Sequence, residues 1–220
     1  SDLDPNAYRP FNLVVSDVIL ARTDLPPSQF SLANVQMANY EARIQFVLDT
    51  PLGPQLVEIP RQWASVDATL RGKSFRFITT HLESAVQIIR VLQAGELLEV
   101  VEGSHLPVVL VGDLNAELDD IGDSAWLLSN YDGFADVWSA SPQGKGPGYT
   151  CCQEPTLRLP TSTLVKRIDY VMTRGDFSVI NAHVVGDEWI ADPTAPGYPV
   201  LWASDHAGMT AKLFLPQGSD

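Results

Sequence analysis

The chain is predicted to be an α/β protein of the α+β kind, with two packed, mainly antiparallel β-sheets flanked by helices. Three observations predict this. Short apolar runs of strand length recur along the chain. Turn residues join most of them into hairpins. Only two stretches switch to a helical period. The 220 residues are 45% hydrophobic, enough for one domain over 1–220 with a real core. No repeat, low-complexity tract or linker divides them.

Taken in order, residues 1–11 contain Pro5 and Pro10 and read as an extended lead-in. Residues 13–22 are rich in β-branched side chains and read as a strand, ended by Pro26 and Pro27. Residues 35–49 alternate, with Ala42, Ile44, Phe46 and Leu48 on one face, and Leu56 to Ile59 pairs back across a turn at residues 50–53. A second hairpin runs out over 65–70, turns at Arg71-Gly72-Lys73 and returns over 74–82. Residues 86–101 form a helix whose apolar face holds Ile88, Ile89, Leu92, Leu97 and Val100, with Gly103 just past its end. The continuous apolar run 107–111 predicts a strand covered on both faces. A short helix follows at 124–129, then a Gly/Pro loop at 143–148. Further strands are expected at 168–172, 177–185 and 208–215, with a Pro-rich surface loop at 192–199.

The net charge is −13, and no Lys/Arg cluster forms a basic face. That balance disfavours tight binding of duplex nucleic acid, which works by displacing counterions from phosphate. It leaves cleavage open, because a bound divalent cation supplies positive charge locally. No apolar run approaches the ~20 residues of a membrane span. The opening Ser1-Asp2-Leu3-Asp4 resembles a processed end and leaves localisation open. Cys151 and Cys152 are neighbours. On a strand they would point to opposite faces, and a bridge between them departs from usual Cα separations, so two free thiols in packing roles are expected, or one cysteine paired with a group outside this sequence.

Four segments carry chemistry: Thr79-Thr80-His81-Leu82-Glu83, Val111-Gly112-Asp113-Leu114-Asn115-Ala116, Arg167-Ile168-Asp169-Tyr170-Val171 and Trp202-Ala203-Ser204-Asp205-His206-Ala207. Each puts a proton-handling or metal-capable side chain at the end of a short apolar run. Phosphoester hydrolysis needs an aimed water, charge stabilisation and help for the leaving oxygen. Asp113 can orient or deprotonate water, and Asn115 can bind a phosphate oxygen without adding negative charge. His206 can act as base or as imidazolium. Read alone, Asp113-Leu114-Asn115 is also a common turn and His81 a common core histidine. His105 and His183 fit no motif, and Tyr170, Trp202 and Trp138 read as core aromatics.

As an ordered set, the four segments resemble the endonuclease/exonuclease/phosphatase superfamily over about residues 17–215. The resemblance implies a four-layer αββα sandwich and a divalent-metal-dependent phosphoesterase using Mg2+ or Mn2+. It implies catalytic roles for His81, Asp113, Asn115, Asp169 and His206, with Asp169 supporting His206 and Asp205 assisting the metal. The expected partner is a phosphate-ester substrate: nucleic acid, phospholipid head group or small phosphodiester. The family pattern also has an earlier strand ending in Asn and another carrying Gln-Glu, and this sequence shows neither. The chain therefore reads as lacking N-terminal strands, either because a separate or cleaved segment completes the site or because it is a truncated fragment of an active enzyme. The alternative is a catalytically silent binding module derived from the family.

Overall fold

The computed structural model describes residues 15–51, 53–191, 197 and 200–216. Strand β1 (Phe30–Asn39) leads into a hairpin of β2 (Ile44–Thr50) and β3 (Gly53–Ile59). A second hairpin joins β4 (Gln62–Leu70) to β5 (Lys73–His81). Its closing pair is Leu70 with Lys73, so the turn is only Arg71 and Gly72. Both have positive φ, 51° and 81°, which matches the tight hairpin turns that follow strand twist. Helix α1 (Gln87–Glu102) then crosses to β6 (Val108–Asp113). After α2 (Ser124–Asn130) come β7 (Ala135–Asp136), α3 (Val137–Ala140), β8 (Asp169–Arg174) and β9 (Ser178–Val185). The chain closes with β10 (Ile190–Ala191), β11 (Val200–Leu201) and β12 (Gly208–Phe214).

The central sheet has six strands in the order β1-β4-β5-β6-β8-β7. Within it only β5 and β6 pair in parallel, and α1 supplies the crossover that a parallel pair requires. Separate two-stranded sheets pair β12 with β9 and β2 with β3.

Alternation along β6 explains its continuous apolar run. Leu110 faces one core with Ile78, Met172, Ala94 and Leu97, beneath the two longer helices. Val109 and Val111 face the other, with Phe75, Phe77 and Val171 against Val179, Val184, Met209 and Leu213 of β9 and β12. Helices, the large sheet and the small sheet thus form three successive layers of mixed α/β structure. A cavity of about 580 Å³ remains between the two sheets, lined by Phe75, Phe77, Val109, Met209 and Leu213 among others.

Several elements depart from expectation. Residues 15–22 form no strand; Val18 and Leu20 are exposed, and among the described residues no strand pairs with this segment, so β propensity alone does not make it one. The lead-in 1–11 lies outside the described residues, as does the loop 192–199 except for Gly197. The alternating run 35–49 is broken at Tyr40, which is buried and hydrogen-bonds Thr80 Oγ1 through its hydroxyl at 2.7 Å. Cys151 and Cys152 are joined to each other as a disulfide rather than being free thiols. They lie in a loop, not on a straight strand, so their side chains need not diverge.

Candidate active site

Strand register assembles this site from residues far apart in sequence. His81 ends β5 and sits directly across from Asp113, which ends β6. Asp113 in turn sits directly across from Asp169, which begins β8. Directly opposed residues share a face of the sheet, and neighbouring strands lie only ~4.8 Å apart. Three proton-handling side chains therefore form a row on adjacent rungs at one end of the large sheet.

Gly112 permits this row. Its φ is +142°, and a Cβ there would fall 1.9 Å from the Thr80 carbonyl oxygen. Any side chain would force apart the two strands that carry His81 and Asp113.

The segment around Cys151 brings His206 to the row. Thr150 and Cys151 donate their N–H groups to the Lys166 carbonyl at 2.7 and 2.9 Å. On the other side Ala207 N–H donates to Thr150 O, and Gln153 N–H to Asp205 O, both at 2.7 Å. The Thr150 hydroxyl also accepts from the N–H groups of Ile168 and Asp169 at 3.2 Å each. One short loop thus staples the strand bearing Asp169 to the segment bearing His206. The result is a 2.8 Å hydrogen bond between His206 Nδ1 and Asp169 Oδ2.

The electrostatics separate the two histidines. The Asp169 hydrogen bond raises the pKa of His206 above its usual 6.5, because a carboxylate at Nδ1 favours the protonated ring. His81 goes the other way: burial, then the charge of Arg61, pushes it down to about 4. Asp113 is pushed up to about 6 by burial and then by the nearby charge of Asp169. His81 Nε2 and Asp113 Oδ2 are 3.5 Å apart, but at neutral pH this is a neutral ring beside a carboxylate, not an ion pair.

Asn115 completes the turn. It has φ +52°, its N–H donates to Asp113 Oδ1 at 2.8 Å, and its side-chain Nδ2 donates to the Leu82 carbonyl at 2.9 Å. The loop thereby fixes one oxygen of Asp113 and leaves the other facing His81. Asp205 is exposed and accepts from Ser204 Oγ at 3.1 Å. Among the described residues, a ligand-competent group converges at Asp113, Asp169 and His206, with donor atoms within 4.8 Å of one another. Asp205 is outside that group.

Arg61, just before β4, carries no sequence motif and was not anticipated. It is largely buried, lies 3.6 Å from Glu83 Oε2, and its charge reaches both His81 and Asp113. Its only sequence signal is a lone cation between two strand-like runs. Glu83 is buried, and its Oε1 accepts from Ala85 N–H at 2.8 Å. Arg167 is structural: it pairs with Asp136 at 2.8 Å and stacks on the Tyr170 ring. Tyr170, Trp138 and Trp202 are buried as core aromatics, while His105 and His183 are exposed.

Comparison with solved structures finds the same architecture at low identity. The Bacteroides thetaiotaomicron mannosyl-6-phosphatase superposes with a TM-score of 0.63 at 18% identity, over 86% of this chain and 68% of that one. A second protein from that organism, titled as an endonuclease/exonuclease/phosphatase family protein, has TM-score 0.63 at 20% identity, over 84% and 66%. TDP2 of D. rerio, complexed with a single-strand DNA product, gives 0.57 at 17% identity, over 87% and 71%. The chain spans about two-thirds of the length of these structures. No curated protein matches its sequence. The model of the Endonuclease/Exonuclease/phosphatase family matches residues 18–206, a span that holds every residue of the row and His206, and the chain belongs to that family.

Proposed function

We propose that the chain is the catalytic domain of a phosphoesterase, a hydrolase that cleaves a phosphate ester by water attack. The observation that carries this reading is the row His81, Asp113, Asp169 on adjacent rungs, closed by the Asp169–His206 hydrogen bond. Phosphatase and DNA-product-bound neighbours of the same fold agree with it.

Asp113 is the group that takes a proton from the attacking water. A pKa of about 6 makes it a stronger base than an ordinary carboxylate while leaving it ionised at neutral pH. Water oxygen bonds to phosphorus as the ester P–O bond breaks. His206, whose protonated form Asp169 favours, presents its other ring nitrogen to a phosphoryl or leaving oxygen. Neutral His81 lies beside Asp113, so the water can be oriented between two acceptors. Arg61 supplies fixed positive charge, and Asn115 holds Asp113 in place. In this reading Asn115 positions the base more than it binds phosphate, because its amide donates to Leu82.

The family implies a divalent cation, Mg2+ or Mn2+. The donor set fits one: the Asp113 and Asp169 carboxylates converge with His206, Asp169 raises the pKa of Asp113, and hard cations select oxygen ligands. Those two would hold it, with Asp205 at the exposed rim. Such an ion supplies charge neutralisation for the phosphoryl oxygens.

The test uses the full-length protein with Mg2+ on bis-p-nitrophenyl phosphate and on DNA, with Asp113→Ala and His206→Ala alongside. Activity in the parent that is lost in both variants supports the reading. Activity that survives both changes ends it.

A further inference from the structure

The disulfide beside the row is unexplained by phosphoester hydrolysis. Cys151 Sγ, Cys152 Sγ and a ring nitrogen of His206 all lie within 4.8 Å of one another. The pairing is not a sequence motif: the antiparallel bridge between Cys151 and His206 brings together residues more than fifty positions apart. Two sulfurs and an imidazole are the donor set of soft or borderline cations, distinct from the oxygen set of Asp113 and Asp169.

We infer that Cys151, Cys152 and His206 form a redox-gated thiolate–imidazole site for Zn2+. As a disulfide the sulfurs are poor ligands, and the site is closed. Cys151 is buried, whereas Cys152 is exposed, so a small dithiol reductant attacks Cys152 Sγ. The Cys151–Cys152 bond breaks, a mixed disulfide forms on Cys152, and Cys151 leaves as thiolate. The second thiol of the reductant then displaces Cys152, giving a protein dithiol and an oxidised reductant. Zn2+ binds both sulfurs as thiolates, releasing their protons, together with a ring nitrogen of His206. A water completes the tetrahedron.

The site shares His206 with the proposed hydrolysis, so occupancy withdraws that ring from the row. The inhibition expected below rests on the proposed function; the binding does not. The two outcomes are therefore separable.

The full-length protein, reduced with dithiothreitol and then freed of it, is titrated anaerobically with Co2+ as the spectroscopic stand-in for Zn2+. A thiolate-to-Co2+ charge-transfer band at one ion per chain, displaced by Zn2+, is expected. The unreduced protein gives none. Cys152→Ser loses the band after reduction, and His206→Ala alters its intensity and weakens binding about tenfold or more. In the parallel assay, Zn2+ lowers Mg2+-supported activity of the reduced protein by about a hundredfold, the scale of losing one acid–base group, and spares the Cys152→Ser variant relative to its own Zn-free rate. Absence of the band in reduced protein, or a band unchanged by His206→Ala, overturns the site. A normal band with no hydrolysis in any sample leaves the site standing and refutes the phosphoesterase reading instead.

Discussion

Replacing Asp113 with Asn should make the protein more stable and less active, and the stability gain should depend on pH. The folded protein moves the Asp113 pKa from 3.8 up to about 6. Folding therefore favours the protonated carboxyl. The favourable contribution is complete below about 3.8 and is lost as pH rises through about 6. That interval corresponds to roughly 3 kcal/mol between the two protonation states. The side chain is 14% exposed, so water offsets part of this, and about 1–3 kcal/mol is the expected penalty at neutral pH and above. Asn is uncharged at every pH and keeps an oxygen to accept from Asn115 N–H. In a domain of this size, Tm of Asp113→Asn should exceed the parent's by roughly 3–10 °C near pH 8. The difference should shrink towards zero near pH 4.5, where the parent's carboxyl is itself protonated. Thermal unfolding by circular dichroism, across pH and with chelator present, reads this directly. Catalysis should fall by about 10²–10⁴ in the same variant. A Tm difference that does not change between the two pH values would refute the claim that burial and Asp169 strain this carboxylate.

The remaining predictions use the same geometry. The pH profile of kcat/KM should be a bell, with activity falling as pH drops through about 6, where Asp113 takes a proton, and falling again as pH rises through the raised pKa of His206. Asp169→Asn should move the alkaline limb to lower pH, because the hydrogen bond that favours imidazolium is weakened; an unmoved limb would disprove the pairing. Gly112→Ala should destabilise the fold by more than about 3 kcal/mol in urea titrations, since its methyl meets the Thr80 carbonyl at 1.9 Å in a backbone conformation disfavoured for Ala. Arg90→Met should cost about 3–5 kcal/mol, because it strands Asp123, which Arg90 holds through bonds of 2.6 and 2.8 Å in a buried setting.

The hairpins, the span of the long helix and the doubly covered β6 were legible in the sequence because each announces itself locally; the helix's buried face was not, since Arg90, Gln93, Ala94, Leu97 and Val101 face inward while Ile88 and Leu92 of the expected apolar face are exposed. Arg71-Gly72 needs positive φ, and residues 107–111 need cover on both faces. The candidate residues were legible as strand-end polar groups. Their alignment was not, because register depends on hydrogen bonds between strands that no single strand encodes. The same reason hid Arg61 and Thr150, whose effects reach His81 and Asp169 across the fold. The strand expected at 13–22 does not form over its described part, 15–22, because a β-rich composition needs a partner strand. Cys151 and Cys152 pair, against expectation, because the chain there makes a loop bonded on both sides rather than a straight strand.

The matched rungs of β5, β6 and β8 also determine how this protein can change its diet. Thermal sway that flexes the sheet carries the imidazole and both carboxylates together, so their spacing survives the motion. On the proposed function, reshaping the loops that follow these strands would change what fits beside the row without altering the spacing of the imidazole and the two carboxylates.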